Sequence, residues 1–133
     1  MIRTILVYGA TGYSGRLIAA EGKVWRMSDA DTGDCQMILA SRGGAKLREV
    51  ARLNRMHYRA FDLDNIRQVA RHLTGIKVVI NAAGPFSLTA EVLAKAALDV
   101  GCHYVDINGE VDVYRKLDDL GRDARQRNIA IAS

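Results

Sequence analysis

Short apolar runs alternate with longer amphipathic stretches along the whole chain. The runs predict six strands, at residues 2–8, 36–40, 57–61, 77–81, 103–107 and 129–132. The stretches between them carry apolar residues at helical spacing, and a glycine, Gly101, closes the fourth of them. The strands are continuous apolar runs rather than alternating patterns, which is typical of strands that are buried on both faces.

The predicted helices can be assigned inner faces from the same spacing. The first runs from Ser14 to about Met27, and its large apolar residues predict the inner face: Leu17, Ile18, Val24 and Trp25. An acidic, glycine-containing loop follows at residues 28–34. Asp64 is predicted to cap the third helix, because a carboxylate accepts hydrogen bonds from the first N–H groups of a helix.

Strict alternation of strand and helix predicts an α/β fold. We expect a doubly wound, Rossmann-like parallel sheet of about six strands with helices on both faces. Residues 1–133 are long enough for one domain with one sizeable core. The sequence stops on a strand with no helix after it, so we expect this domain to be a piece that lacks a C-terminal substrate domain.

Composition narrows the class of protein. The net charge is +4 with a pI of about 9.3, but basic residues are interspersed with acidic ones and aromatics make up 6% of the chain. This pattern favours a solvated surface over a nucleic-acid interface. There is no apolar run of membrane-spanning length and no signal-peptide pattern, so we expect a cytoplasmic protein. Cys35 and Cys102 stand in no metal or redox spacing.

A glycine-rich turn follows the first strand in "VYGATGYSGRL". In a doubly wound fold this turn carries the pyrophosphate of a dinucleotide on a helix N-terminus. Gly9 would make the tight turn, Gly12 would let phosphate approach the backbone, and Gly15 would let the helix pack closely on the strand. The spacing G-x-x-G-x-x-G is a relative of the G-x-G-x-x-G fingerprint. The alternative is a glycine-rich turn without a ligand.

The ends of the next strands predict which dinucleotide binds. The second strand ends in Ser41 and Arg42 without a carboxylate, and a guanidinium suits a 2′-phosphate, which favours NADP. Alternatively, Arg42 merely solvates the strand end. Asp62 follows the third strand, where it would either meet an adenine amino group or cap the next helix. After the fourth strand, "NAAGPF" leaves room for a ribose.

Four segments carry a family resemblance: "GATGYSGRL", "LASRGGAKL", "VINAAGPFSLTAEVLAKAALDVGCHYVDINGE" and "ARQRNIAIAS". Together they resemble the N-terminal NADP-binding domain of the saccharopine dehydrogenase-like family, which includes trans-acting enoyl reductases. The resemblance implies that the pyrophosphate lies against Gly9, Thr11, Gly12, Tyr13, Ser14 and Gly15. It implies that Ser41 and Arg42 bind the 2′-phosphate. It further implies that the ribose and nicotinamide are flanked by Ala82, Ala83, Gly84 and Pro85.

The chain departs from the family pattern in two respects. Asn108 stands where the family usually has serine or threonine, and the second domain that holds substrate in the family is missing. Strands one and four should flank the point where strand order reverses, with the nicotinamide half extending past strand four toward strand five. There, Asp106 and Glu110 would either face a substrate or cap the following helix.

Catalytic signatures are sparse. None of the five tyrosines is followed four positions later by lysine, so the proton relay of short-chain dehydrogenases is not expected. His57, His72 and His103 have no clustered metal partners in the sequence. Cys102 and His103 are adjacent at a strand start and would point to opposite faces, which makes them a poor nucleophile–base pair. We therefore assign no catalytic acid or base and no metal site.

Three hypotheses follow. The first is the NADP-binding domain of an oxidoreductase that passes hydride to or from a small molecule held by the missing domain. The second is a redox-sensing regulator that binds NADP and a protein partner without chemistry. The third is an interaction module whose glycine turn is empty. We expect no nucleic-acid or membrane partner for this segment, and self-association into a homodimer stays open.

Overall fold

The structure is a computed structural model that describes residues 2–28 and 35–133. Over these residues the chain alternates strands and helices in this order: β1 (Arg3–Tyr8), α1 (Tyr13–Ser28), β2 (Cys35–Ser41), α2 (Ala45–Asn54), β3 (His57–Ala60), α3 (Ile66–Leu73), β4 (Val78–Asn81), α4 (Phe86–Val100), β5 (His103–Asp106), α5 (Val111–Gln126) and β6 (Ile131–Ala132). The acidic loop predicted at residues 28–34 lies, except for Ser28, outside the described residues.

The described strands form one parallel sheet in the order β3-β2-β1-β4-β5-β6. The order reverses between β1 and β4, where Tyr8 pairs in register with Asn81. The six-stranded, doubly wound parallel sheet predicted from the sequence is thereby confirmed. In such sheets ligands bind off the carboxyl ends of the strands at the reversal point.

Each face of the sheet is covered by helices. On one face α1 and α2 enclose a core that contains Val7, Leu39 and Leu47. On the other face α3, α4 and α5 cover a larger core that includes Leu6, Leu93 and many small alanines of α4. Neighbouring residues of β1 therefore point into different cores, which explains the continuous apolar run in its sequence.

The inner face predicted for α1 is wrong for three of its four residues, and only Ile18 packs against the core. Leu17 is 56% exposed and Val24 is 58% exposed, while Trp25 is 40% exposed and Ile18 is half-buried. The buried positions are instead three small residues spaced i, i+4 and i+7: Gly15, Ala19 and Gly22. A Cβ on Gly15 would lie 2.7 Å from the Cα of Ala10, so the start of α1 lies too close to the preceding turn to admit a side chain there, and a Cβ on Gly22 would displace the terminal methyl of Met37.

The cap predicted for α3 is also displaced by one residue. The side chain of Asn65, not that of Asp64, accepts hydrogen bonds from the N–H groups of Arg67 and Gln68. The strand predicted at residues 129–132 begins two residues later, because the Ile129 N–H bonds back to the carbonyl of Ala124 and closes α5.

Candidate functional site

A groove of about 550 Å³ opens at the carboxyl ends of the central strands. Residues from the ends of β1, β2 and β4, from the segment after β3 and from the first turn of α4 line it: Tyr8, Gly9, Thr11, Gly12, Ser41, Arg42, Gly43, Asp62, Leu63, Asp64, Ala82, Ala83, Gly84, Pro85, Leu88 and Thr89. The groove thus brings together the residues predicted from the sequence, apart from three in the first turn of α1. Those three are Tyr13, which is largely exposed, half-buried Ser14 and buried Gly15.

Two glycines of the turn are required by the fold itself. Gly9 has a φ of 89°, and a Cβ there would lie 2.6 Å from the backbone nitrogen of Ala83. A Cβ on Gly15 would lie 2.0 Å from the carbonyl oxygen of Gly9. The turn is further fixed by the N–H groups of Gly9 and Ala10, which both donate to the carbonyl of Ala40. These glycines therefore serve the tight turn and the close helix packing that the sequence predicts.

Gly12 is different, because nothing in the described residues demands a glycine there. Its φ lies outside the left-handed region, and a Cβ would meet only the Gly9 carbonyl oxygen, at an ordinary 3.5 Å. Its position is exposed on the wall of the groove, directly before α1. The first N–H groups of α1 have no partner within the helix, and they form the positive end of its dipole. A helix N-terminus of this kind can hold an anion.

Ser41 and Arg42 occupy the end of β2 with separate roles. The Ser41 side chain is buried, and its hydroxyl oxygen accepts a hydrogen bond of 3.2 Å from the Gly43 N–H. Gly43 and Gly44 both adopt a positive φ, so the chain turns sharply after the strand. Arg42 is exposed on the groove wall. Ser41 therefore shapes the turn, while Arg42 presents its charge to the groove.

The far wall of the groove follows β3. The exposed Asp62 carboxylate accepts the N–H of Asp64 at 3.0 Å and does not cap α3. The buried Tyr8 hydroxyl donates to the carbonyl of Phe61 at 2.8 Å. Burial raises the pKa of Tyr8 to about 12, while the nearby charge of Arg42 opposes that rise. Tyr8 is therefore a neutral hydrogen-bond donor that holds this wall in place.

The floor of the groove is the segment 82–85 after β4, which we call the floor segment. Asn81 precedes it with a fully buried side chain. The Asn81 Oδ1 accepts the Ala83 N–H at 3.0 Å, and the Thr89 hydroxyl donates to the Ala83 carbonyl at 2.7 Å. The Gly84–Pro85 peptide within the segment is cis. The backbone of the floor segment is therefore held by two side chains from outside it.

A buried polar network continues from Asn81 toward β6. The Asn81 Nδ2 donates to the Tyr104 hydroxyl at 3.1 Å, and that hydroxyl donates to Asp106 at 2.6 Å. Asp106 also accepts hydrogen bonds from Asn108 and Ser133. This network was not predicted from the sequence. Its one signal is a set of polar residues at the ends of otherwise apolar strands.

The network corrects two expectations about the end of β5. Asp106 and Asn108 are buried and hydrogen-bonded, so neither faces a substrate in the described chain. Asp106 does not cap α5 either, and Glu110, at the N-cap position, makes no side-chain capping hydrogen bond. Asn108 instead organises the loop, since its side-chain oxygen accepts the Glu110 N–H at 2.8 Å.

The described cysteine and histidine at the start of β5 are engaged in hydrogen bonds with the backbone. Cys102 is buried, burial raises the pKa of its thiol to about 12, and the thiol donates to the carbonyl of His103. His103 accepts the Ala130 N–H through Nδ1. Residues 2–28 and 35–133 contain no cluster of three or more potential metal ligands, and no helix there combines the length and apolarity needed to cross a membrane. A second cavity of about 520 Å³, between α5 and β6, contains none of the predicted site residues.

Known proteins match this chain over most of its length. The family described as saccharopine dehydrogenase NADP binding domain matches residues 5–131. A lipid droplet localized protein of Caenorhabditis elegans is 28% identical over 143 residues, which cover 97% of this chain and 32% of the relative. A probable mitochondrial saccharopine dehydrogenase-like oxidoreductase of Arabidopsis thaliana is 24% identical over 122 residues, which cover 86% of this chain and 27% of the relative.

Among solved structures, saccharopine dehydrogenase (L-Glu forming) of Saccharomyces cerevisiae superimposes with a TM-score of 0.78. The sequence identity is 16%, and the match covers 97% of this chain and 26% of that protein. At this identity the likeness concerns the fold. The chain spans about a third or less of the length of each of these three proteins.

Proposed function

Because this chain belongs to the saccharopine dehydrogenase NADP binding domain family, we propose that its groove holds NADP(H) for hydride transfer by an oxidoreductase. Family membership confirms the resemblance predicted from the sequence motifs, and with it the NADP cofactor. The residues that hold the cofactor, the transfer of hydride and the second domain are parts of the proposal.

The observation that carries the proposal is the empty space at Gly12. Gly9 and Gly15 have structural reasons to be glycine, whereas a Cβ at Gly12 would contact only the Gly9 carbonyl oxygen at 3.5 Å. A pyrophosphate at this point would accept hydrogen bonds from the first N–H groups of α1 and would be stabilised by the helix dipole. No acidic residue lies in the first turn of α1 to oppose that charge.

We assign the 2′-phosphate to the side of the groove at Arg42. The exposed guanidinium stands at the end of β2, where NAD-specific proteins of this architecture carry a carboxylate. Its planar pair of N–H donors suits a phosphate dianion. Asp62 and Asp64 follow the neighbouring strand β3, where their negative charge would disfavour a phosphate and leave room for the adenine.

The nicotinamide half would lie along the floor segment. Its side chains are small, and a Cβ on Gly84 would have no neighbour within 4 Å, so the segment is open to a planar ring. When bound, the cofactor supplies a hydride donor or acceptor. The chain's own residues bind and orient it. The groove alone does not exclude water or seat a second reactant, which supports a substrate-binding domain outside these 133 residues.

For the location of the protein we propose the cytoplasm. One relative is named for the lipid droplet and another for the mitochondrion, so each of these locations is a specific alternative. Fractionation of cells that express the natural full-length protein distinguishes the three. Recovery in the floating lipid fraction or in mitochondria would contradict the cytoplasmic assignment.

Calorimetric titration of the purified chain with NADPH tests the proposed function directly. We expect saturable binding at one site, and we expect affinity to fall about fivefold or more when Gly12 carries a side chain, since overpacking costs about 1–3 kcal/mol. Unchanged affinity in a folded Gly12 variant would contradict the site. Steady-state oxidation of NADPH by the isolated chain with imines, enones or keto acids should be undetectable, and clear turnover would contradict the need for a second domain.

A further inference from the structure

Side-chain hydrogen bonds hold the middle of the floor segment, while backbone hydrogen bonds hold its two ends, from the Ala82 N–H to the Tyr8 carbonyl and from the Leu88 N–H to the Pro85 carbonyl. Ala83 uses both of its backbone polar groups on side chains outside the segment: its N–H donates to Asn81 and its carbonyl accepts from Thr89. Packing does little for the next residues, because Gly84 and Pro85 are exposed and no atom lies within 4 Å of a Cβ placed on Gly84. Loss of the two side-chain hydrogen bonds would therefore leave the segment held only at its ends.

Asn81 and Thr89 also fix one another. The Asn81 Nδ2 donates to the Thr89 hydroxyl oxygen at 3.0 Å, and the same hydroxyl donates a hydrogen bond to the Ala83 carbonyl. The second Nδ2 contact goes to the Tyr104 hydroxyl, whose proton is committed to Asp106. Each donor in this series of hydrogen bonds thus has an acceptor, so the side-chain amide of Asn81 has one favourable orientation.

The position of the floor segment matters to the glycine turn as well. The Ala83 backbone nitrogen would lie 2.6 Å from a Cβ on Gly9, so the two sides of the groove meet at this point. A shift of the floor segment would alter the width of the groove beside β1 and β4. The end of the groove at Arg42, which follows β2, would keep its shape.

We propose that Asn81 and Thr89 are positioning residues for the nicotinamide half of the cofactor. They hold the floor segment in its binding conformation before the cofactor arrives, so that binding does not have to order it. This inference rests on the proposed function. It assigns a role to two uncharged residues that act on the protein backbone and not on the charge of the cofactor. It predicts a loss of affinity confined to one half of the dinucleotide.

The test compares two ligands on one matched pair of variants. Thr89→Val keeps the shape of the side chain and removes the hydroxyl, whereas Thr89→Ser keeps the hydroxyl. NADPH reports on the whole groove, and adenosine 2′,5′-bisphosphate reports on the adenine end alone. We expect Thr89→Val to weaken NADPH about threefold to tenfold, the value of one hydrogen bond, with adenosine 2′,5′-bisphosphate unchanged. Thr89→Ser should bind both ligands as the wild type does.

A stability control separates positioning from general support of the fold. Val113→Ala removes buried volume from α5, away from the groove, and should lower the melting temperature while leaving NADPH affinity unchanged. Asn81→Leu should show the same selective loss as Thr89→Val. If Asn81→Leu fails to fold, the comparison of Thr89→Val with Thr89→Ser tests the positioning role without it.

Each remaining outcome has one meaning. If Thr89→Val binds NADPH as the wild type does, or loses both ligands equally, the positioning role is wrong while the proposed function stands. If the wild-type chain binds neither ligand, the proposed function fails and this inference falls with it.

Discussion

The carbonyl oxygen of Gly9 lies 2.0 Å from the point where a Cβ on Gly15 would stand. That distance is far inside van der Waals contact, so α1 can start where it does only because residue 15 lacks a side chain. Gly12, three residues earlier, has no comparable neighbour. Residue 15 is thus a glycine because of the packing of the protein. We attribute the glycine at residue 12 to the ligand that we propose for the groove.

Substitution of these two glycines by alanine should therefore give opposite results. Gly12→Ala should leave the free energy of unfolding unchanged or raise it by roughly 0.4–1 kcal/mol, because a non-glycine backbone loses less entropy on folding. Gly15→Ala should lower it by at least about 1–3 kcal/mol, because the clash involves backbone atoms. Urea unfolding of both variants measures the difference. A Gly12→Ala variant that is as unstable as Gly15→Ala would show that residue 12 is glycine for structural reasons.

Arg42→Ala should weaken NADPH binding about tenfold to a hundredfold, the value of a charge-assisted hydrogen bond of about 1.5–3 kcal/mol. Binding of NADH, which lacks the 2′-phosphate, should change little. Arg122→Ala is the matched control, because it removes the same charge from an exposed position on α5, outside the groove. Equal losses for NADPH and NADH, or an equal loss in Arg122→Ala, would assign the effect of Arg42 to general electrostatics.

The architecture could be predicted from the sequence, whereas the inner face of α1 could not. Apolar runs marked the strands correctly because strands buried on both faces leave little room for polar residues. For α1 the same logic selected Leu17 and Val24, which are exposed. A helix that lies this close to the sheet buries small residues, and Gly15 and Gly22 carry no hydrophobic signal.

The candidate site divides in a similar way. Arg42 and the glycine turn could be predicted because their spacing after a strand has a direct chemical meaning. The hold of Asn81 and Thr89 on Ala83 could not, because it depends on distances between elements that no local pattern encodes. Asp106 was expected to face a substrate or cap α5, but its carboxylate accepts a hydrogen bond from the hydroxyl of Tyr104, two residues earlier on the same strand.

The Cys102 thiol should resist alkylation in the native chain. It is fully buried, and burial raises its pKa to about 12, so little thiolate forms at neutral pH. Cys35 is half-buried at the start of β2 and should react first. Mass spectrometry after iodoacetamide treatment, with and without urea, measures both sites. Rapid modification of Cys102 without urea would contradict the burial described for β5.

His72 should make stability fall as pH falls below neutrality. Its ring stacks on Phe61 with centroids 4.3 Å apart, and burial, with the charge of Arg59, lowers its pKa in the folded state. The unfolded chain then binds a proton more readily, so this contribution is complete above the unfolded pKa of about 6.5 and is lost as pH falls toward the folded value. His72→Phe keeps a stacked ring without titration. Urea unfolding at pH 7.5 and 5.5 should show a smaller loss for His72→Phe than for the wild type, and an equal or larger loss would contradict this role.

The most direct test of the account is a calorimetric comparison of NADPH and NADH binding to the wild-type chain at one ionic strength. We expect one site per chain, with NADPH bound at least about tenfold more tightly than NADH, because only NADPH offers a 2′-phosphate to Arg42. Equal affinities for the two cofactors, or no binding of NADPH at millimolar concentration, would contradict it.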